Sequence, residues 1–162
     1  MDGPLQTLEM QDNSDVDLRL GMELLFYAYR DFIGPPDEIL KAYNFGRAHH
    51  RVIHFVGRNP GITVSDLLAI LRITKQSLSR VLSDLIREEI IRQDKGTEDR
   101  RQRLLSLTEK GRDFEVQVSQ NQRDRIAKTY AAAGPEAVEG FRKVLLGMIS
   151  DPADVKKFER GG

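Results

Sequence analysis

The chain predicts a mainly α fold with one small β-hairpin wing: a winged helix-turn-helix with N- and C-terminal dimerisation helices. Three observations predict it. Two short helical patterns, residues 63–71 and 74–89, follow one another across a break at Arg72-Ile73. Two strand-like runs, residues 90–93 and 103–107, then flank a polar, basic loop. Helix, turn, helix and hairpin in that order suit a winged helix that reads DNA. Finally, broad apolar stripes at helical spacing lie near both ends of the chain, outside this unit.

Residues 1–14 are acidic and polar and are expected to be disordered. A helix is predicted from Val16. Leu18, Met22, Leu25, Phe26, Tyr29, Phe32 and Ile33 recur at spacings of three and four, and Leu20 and Leu24 widen the stripe. A helix this apolar needs more than one neighbour, which suggests a subunit interface. It is expected to stop near Gly34-Pro35-Pro36, because proline lacks the N–H donor and clashes with the preceding turn. Residues 37–43 then suit a short helix with Ile39 and Leu40 buried. Residues 47–58 suit another, with Val52, Ile53, Phe55 and Val56 on its core side and a turn at Asn59-Pro60-Gly61.

Thr63 can cap the next helix, with Asp66 three residues on. Leu67, Leu68, Ile70 and Leu71 give that helix its apolar face. Thr74 offers a second N-cap, and Leu78, Val81, Leu82, Leu85 and Ile86 recur at helical spacing on the core side of the following helix. Lys75, Gln76, Ser77, Ser79, Arg80 and Ser83 fall outside the stripe. Short hydroxyls let the backbone approach DNA, glutamine and arginine match base edges, and a helix N-terminus favours a phosphate. A solvated amphipathic helix would show the same pattern, so the next segment matters. Asp94-Lys95-Gly96-Thr97 is turn-rich, and Leu105 and Leu107 share a face of the second strand. Arg100, Arg101 and Arg103 crowd the hairpin tip. An arginine there can enter a narrow minor groove, and Asp99 can hold the Arg101 guanidinium by a charge-assisted pair.

Thr108 can cap a long helix to about Ala133, whose apolar pattern is thin: Phe114, Val118, Ile126 and Tyr130 among many polar residues. Gly134-Pro135 breaks it, and Pro135 fits the first position of the next helix. Val138, Phe141, Val144, Leu145, Met148 and Ile149 stripe that last long helix. Residues 151–162 read as a short helix or a polar tail. The expected organisation is thus a disordered acidic segment (1–14), dimerisation helices (15–45 and 109–150), a winged helix-turn-helix (46–108) and a polar tail (151–162).

The run Asp99-Arg100-Arg101-Gln102-Arg103-Leu104-Leu105-Ser106-Leu107-Thr108-Glu109-Lys110-Gly111 resembles the D-x-R-x-x-x-L-x-L-T-x-x-G wing signature of MarR-family transcription regulators. Thr74-Lys75-Gln76-Ser77-Leu78-Ser79-Arg80 resembles their recognition helix, and Asn59-Pro60-Gly61-Ile62-Thr63-Val64 their lead-in to the helix-turn-helix. The chain departs at Arg72, in a turn where the family often has glycine. The resemblance implies a homodimer on a pseudo-palindromic double-stranded operator, most often as a repressor. By position it implies that Gln76, Ser77, Ser79 and Arg80 meet bases or nearby phosphates, with Arg101 as the wing-tip arginine and Asp99 as its orienting partner; Thr74, Lys75, Lys95 and Arg100 beside them complete the expected DNA-binding set. It also implies a small aromatic or carboxylate effector, for which Phe26, Tyr27, Arg30, His50 and His54 are the candidate lining.

Bulk composition bounds the alternatives. The 162 residues suit one domain with a small appended element, 40% are hydrophobic, and no run is long enough to cross a bilayer. No signal-peptide pattern opens the chain, so a cytoplasmic protein is expected. There is no cysteine, which removes disulfides, thiolate metal sites and thiol switches. Net charge is zero but segregated: residues 72–103 hold nine Lys or Arg against six acids, and residues 1–23 hold six acids against Arg19 alone. The three histidines, His49, His50 and His54, lie in one helix, and His50 and His54 share a face. That spacing permits a metal-responsive site, yet any further ligands would have to be carboxylates or water. No P-loop, nucleophile elbow, dinucleotide loop or HExxH pattern is present, so neither catalysis nor a cofactor is expected. A winged-helix module that binds protein is the other alternative. The Asp-Arg-Arg tip and the polar first turn after Thr74 weigh against it.

Overall fold

The structure, a computed structural model, describes residues 15–159. These divide into two compact units, the first ending at Ser119 and the second starting at Gln120. The predicted disordered segment lies outside the described residues.

The first unit holds α1 (Asp15–Ala42), α2 (Arg47–Arg58), β1 (Ile62–Thr63), α3 (Val64–Leu71), α4 (Lys75–Arg87), β2 (Ile91–Lys95), β3 (Arg103–Leu107) and the first part of α5 (Glu109–Ala133). Its sheet is antiparallel in the order β1-β3-β2. Ile91 lies opposite Leu107 and Lys95 opposite Arg103, while Ile62 faces Leu105 from the other edge. Val52, Ile53 and Val56 from α2, Leu67 from α3, and Leu78 and Leu85 from α4 are all fully buried with Leu105 and Val118. Burying each such side chain contributes about 1.5–3 kcal/mol, so this core fixes the angle between α3 and α4.

Local chemistry sets the element ends. Thr63 accepts the Asp66 N–H through Oγ1 at 3.1 Å, and Thr74 accepts the Ser77 N–H at 3.1 Å, as both caps predict. Gly61, at φ +81°, turns the chain after α2 and donates its N–H to the Leu105 carbonyl at 2.8 Å. Arg72 closes α3 in the left-handed region, at φ 52° and ψ 40°. That conformation costs about 1–2 kcal/mol for a residue with a Cβ.

Four expectations need correction. The α1 helix does not stop at Gly34: it runs through Pro35 and Pro36, and residues 37–42 are its last turns. Proline removes two backbone bonds there but its fixed φ is itself helical, and Gly34 has no Cβ to clash with the ring that follows. Within those turns Leu40 is buried, whereas Ile39 is exposed. The helix α4 ends at Arg87, not Glu89, which lies at φ 59°; Ile86 is consequently on the rim, 39% exposed. The first wing strand continues through Lys95, because the hairpin pairing reaches Arg103. The two-residue strand β1 had no counterpart in the expectations.

The second unit holds the rest of α5, α6 (Pro135–Met148) and α7 (Pro152–Glu159). Gly134, at φ +85°, separates α5 from α6, and Pro135 opens α6 as predicted. Tyr130 meets Phe141 edge-on, with ring centroids 6.2 Å apart. Of the tail, Pro152–Glu159 form a helix, capped by Asp151, whose Oδ1 accepts the Ala153 N–H at 2.9 Å. Among the described residues no helix is long and apolar enough to cross a membrane.

Candidate nucleic-acid interface

Burial divides α4 into two faces. Leu78, Val81, Leu82 and Leu85 point into the core; Lys75, Gln76, Ser77, Ser79, Arg80 and Ser83 are exposed. Thr74 Oγ1 also donates to Ser77 Oγ at 2.8 Å. Thr74 is thereby committed to its own helix, while the Ser77 hydroxyl keeps a proton for an outside acceptor. A contact that sequence reasoning missed ties the helix down. His49 Nε2 on α2 lies 2.9 Å from Asp84 Oδ2 on α4, and the other oxygen of Asp84 accepts from Arg87 at 2.8 Å. His49 Nδ1 accepts the Gly46 N–H at 3.0 Å, so its proton sits on Nε2 and points at Asp84. Those bonds from His49 and Arg87 hold the Asp84 carboxyl below the usual carboxylate range.

The wing is built by backbone bonds around one aspartate. Asp99 Oδ1 accepts the Arg101 N–H at 2.9 Å, and the Asp99 carbonyl accepts the Gln102 N–H at 3.1 Å. The Gly96 N–H bonds to the Gln102 carbonyl at 3.1 Å, and a Cβ on Gly96 would lie 2.4 Å from the Asp99 carbonyl oxygen. The guanidinium of Arg101 stands farther off, with Nε 3.6 Å from Asp99 Oδ1 and its side chain 96% exposed. Asp99 therefore orients Arg101 through its backbone more than through the predicted guanidinium pair. The three tip arginines also separate. Arg103 turns back and donates to the Arg100 carbonyl at 3.0 Å, bracing the loop, whereas Arg100 and Arg101 are exposed along with Lys95.

The end of the motif roots the wing. Thr108 donates its hydroxyl to the Glu89 carbonyl and accepts the Gly111 N–H at 2.9 Å, capping α5. A Cβ on Gly111 would come within 2.0 Å of the Ile90 carbonyl oxygen. Glycine is what lets α5 touch the start of the hairpin. Lys110 adds a bond to the Glu88 carbonyl at 2.8 Å.

A family model described as the MarR family matches residues 43–102, from just before α2 to the wing tip. The HTH-type transcriptional regulator PetP of Rhodobacter capsulatus is 51% identical over 140 residues, covering 86% of this chain and 84% of that protein. The chain belongs to the MarR family. Solved structures agree on the fold. FabT of Streptococcus pneumoniae in complex with DNA superposes with a TM-score of 0.69 at 20% identity, over 82% of this chain and 94% of that one. NadR in complex with 4-hydroxyphenylacetate gives a TM-score of 0.62 at 20% identity, over 88% and 96%. As a MarR-family helix-turn-helix regulator, the chain is a DNA-binding protein and not an enzyme.

In this MarR-family chain the effector candidates fall into two sets. On α1, Phe26 meets Tyr27 edge-on at 5.6 Å, and the Arg30 guanidinium lies 4.7 Å over the Tyr27 ring. All three are exposed. On α2, His54 is exposed and His50 is half-buried. Burial, followed by the neighbouring His54, lowers the pKa of His50 from 6.5. An open groove of about 410 Å³ lies elsewhere, lined by Tyr43, Glu109, Lys110, Asp113, Phe114 and Gln117 and by none of the five candidates. The metal reading loses His49, since both of its ring nitrogens are engaged. No group of three or more metal-ligating side chains converges among the described residues.

Proposed function

We propose that this MarR-family regulator works as a homodimeric repressor on a pseudo-palindromic operator, and that a small aromatic or carboxylate effector modulates it. The observation that carries the dimer is the bare apolar surface of the end helices. In the single chain Met22 is 72% and Val144 64% exposed, and Leu18, Leu24, Phe26, Phe141 and Met148 join them. Apolar surface of this kind, on each of the two helices by itself, marks an interaction face. A second copy is the partner that every molecule of this chain has at hand.

In this reading each α4 enters a major groove. Gln76, Ser77, Ser79 and Arg80 meet base edges or nearby phosphates, and Thr74 and Lys75 approach the backbone with the helix N-terminus. Arg101 enters the flanking minor groove, positioned by Asp99, while Lys95 and Arg100 meet phosphates. Selection from random DNA should return an inverted repeat whose half-sites are one helical turn, about 10 base pairs, apart. Recovery of a single unrepeated half-site would count against the paired arrangement. A promoter-reporter fusion should lose activity when the chain is supplied; a gain would replace repression with activation.

Arg30 over Tyr27, beside Phe26, is a cation on an aromatic wall, which suits an aromatic acid. His50 and His54 supply the polar end. The structural neighbour NadR was solved with 4-hydroxyphenylacetate, a ligand of that class. Aromatic carboxylates should release the protein from its operator, and Arg30→Ala should blunt the release. An effector that acts equally well on Arg30→Ala would move the pocket elsewhere.

A further inference from the structure

On the reading that α4 meets bases, we propose that His49 is a positioning residue for sequence recognition: its bond to Asp84 sets the roll of α4 about its own axis, and with it the base edges that Gln76 and Arg80 reach. Leu78, Val81, Leu82 and Leu85 fasten α4 to the core. Apolar contact is non-directional, so by itself it leaves small rolls of a helix cheap. A hydrogen bond weakens steeply with angle. His49 Nε2 on α2 and Asp84 Oδ2 on α4 supply one at 2.9 Å, between side chains only 13% and 27% exposed.

The imidazole is itself held on two other sides. Phe45, buried in the core, stacks on it with ring centroids 4.7 Å apart and 11° between the planes. Nδ1 accepts the Gly46 N–H at 3.0 Å. A ring fixed at its face and at Nδ1 can aim Nε2 in one direction. Arg80 lies about one turn before Asp84 on α4, and Gln76 about one turn before that. A roll set at Asp84 is therefore carried along the helix to both. Recognition needs its side chains held within about 0.5 Å and 10–20° of the productive geometry. Phosphate contacts carry no sequence information, so they should not register the change. His49 also has a local reason to be present, because its Gly46 bond caps the start of α2. The test must separate the cap from the tether.

Binding of the full chain is measured by fluorescence anisotropy on two duplexes, one enriched from random-sequence DNA by the wild type and one of the same composition in scrambled order. The side-chain amide of His49→Asn can stand in for Nδ1 and keep the Gly46 bond, but is too short for Asp84. That of His49→Gln can stand in for Nε2 and keep the Asp84 bond. His49→Asn should lower the ratio of the two affinities several-fold, with the scrambled duplex bound as by the wild type, and His49→Gln should keep the ratio. Asp84→Ala leaves α2 and its cap alone and should lower the ratio as far as His49→Asn; the double variant should lower it no further. Removing both readers, Gln76→Ala with Arg80→Ala, should lower it as well. A wild-type ratio in His49→Asn and Asp84→Ala, beside a lowered one in the reader variant, overturns the tether alone. A wild-type ratio in the reader variant overturns the reading of α4 on which the tether depends. A ratio in His49→Gln as low as in His49→Asn would assign the effect to the ring and its stack on Phe45, and would overturn the Asp84 bond as the device.

Discussion

Replacing Arg101 with alanine should remove DNA affinity and leave the fold untouched. The size of each effect follows from the wing geometry. The Arg101 side chain is 96% exposed, and its distance to Asp99, 3.6 Å, is too long for a strong hydrogen bond. An exposed pair of that kind contributes little, so stability should change by no more than about 0.5 kcal/mol. For a chain of this size that is about 1–2 °C in Tm. The loss at DNA is different in kind. An arginine inserted in a groove and contacting bases contributes about 1–3 kcal/mol, a rise in Kd of roughly fivefold to 150-fold. Arg103→Ala is the matched control. It deletes the bond to the Arg100 carbonyl, from a side chain that is half-buried, and should lower Tm by about 2–4 °C, the equivalent of about 1 kcal/mol. Fluorescence anisotropy at 0.15 M salt and thermal melting read the two quantities on the same samples. If Arg101→Ala binds like the wild type, or melts as low as Arg103→Ala, the division between tip and brace is wrong.

Other substitutions probe the supports. Thr74→Ala deletes the α4 cap and should cost about 1 kcal/mol in urea denaturation; an unchanged midpoint would mean the cap is idle. Gly111→Ala drives a Cβ against the Ile90 carbonyl and should destabilise by about 1–3 kcal/mol, with loss of DNA binding as the hairpin shifts. A variant that keeps full stability would show that α5 and the wing are not locked there. His50 gives a pH signature. Its folded pKa lies below 6.5, so its contribution to stability is complete above pH 6.5 and is lost as pH falls through the folded value. The His50→Gln variant should therefore lose less Tm than the wild type on acidification below pH 6.5; parallel Tm-versus-pH curves would contradict the burial that lowers its pKa.

Much of this was legible in the chain because the signals are local. Asn59-Pro60-Gly61 and Gly134-Pro135 mark real breaks, Thr63 and Thr74 cap the helices they precede, and the alternation of Leu105 and Leu107 is the buried face of β3. What escaped depends on residues far apart. Two-residue β1 exists only because Leu104 and Leu105 lie opposite it. His49 and Asp84 are 35 positions apart, and nothing near either histidine or aspartate announces the bond. The error at Gly34-Pro35-Pro36 has another origin: a rule about interior proline that α1 overrides by losing two hydrogen bonds and keeping its helical dihedrals. At the interface, which residues are exposed was readable from the stripe on α4. That Arg103 is a brace and Arg101 a free-standing tip was not, since both sit in the same basic run.

Light scattering on the purified chain with its selected duplex, at low and physiological salt, weighs the species that matters. Two protomers on one duplex, with two protomers also in the free protein, are expected if the bare faces of α1 and α6 close on a second copy. A free monomer, or a complex with a single protomer, would contradict it.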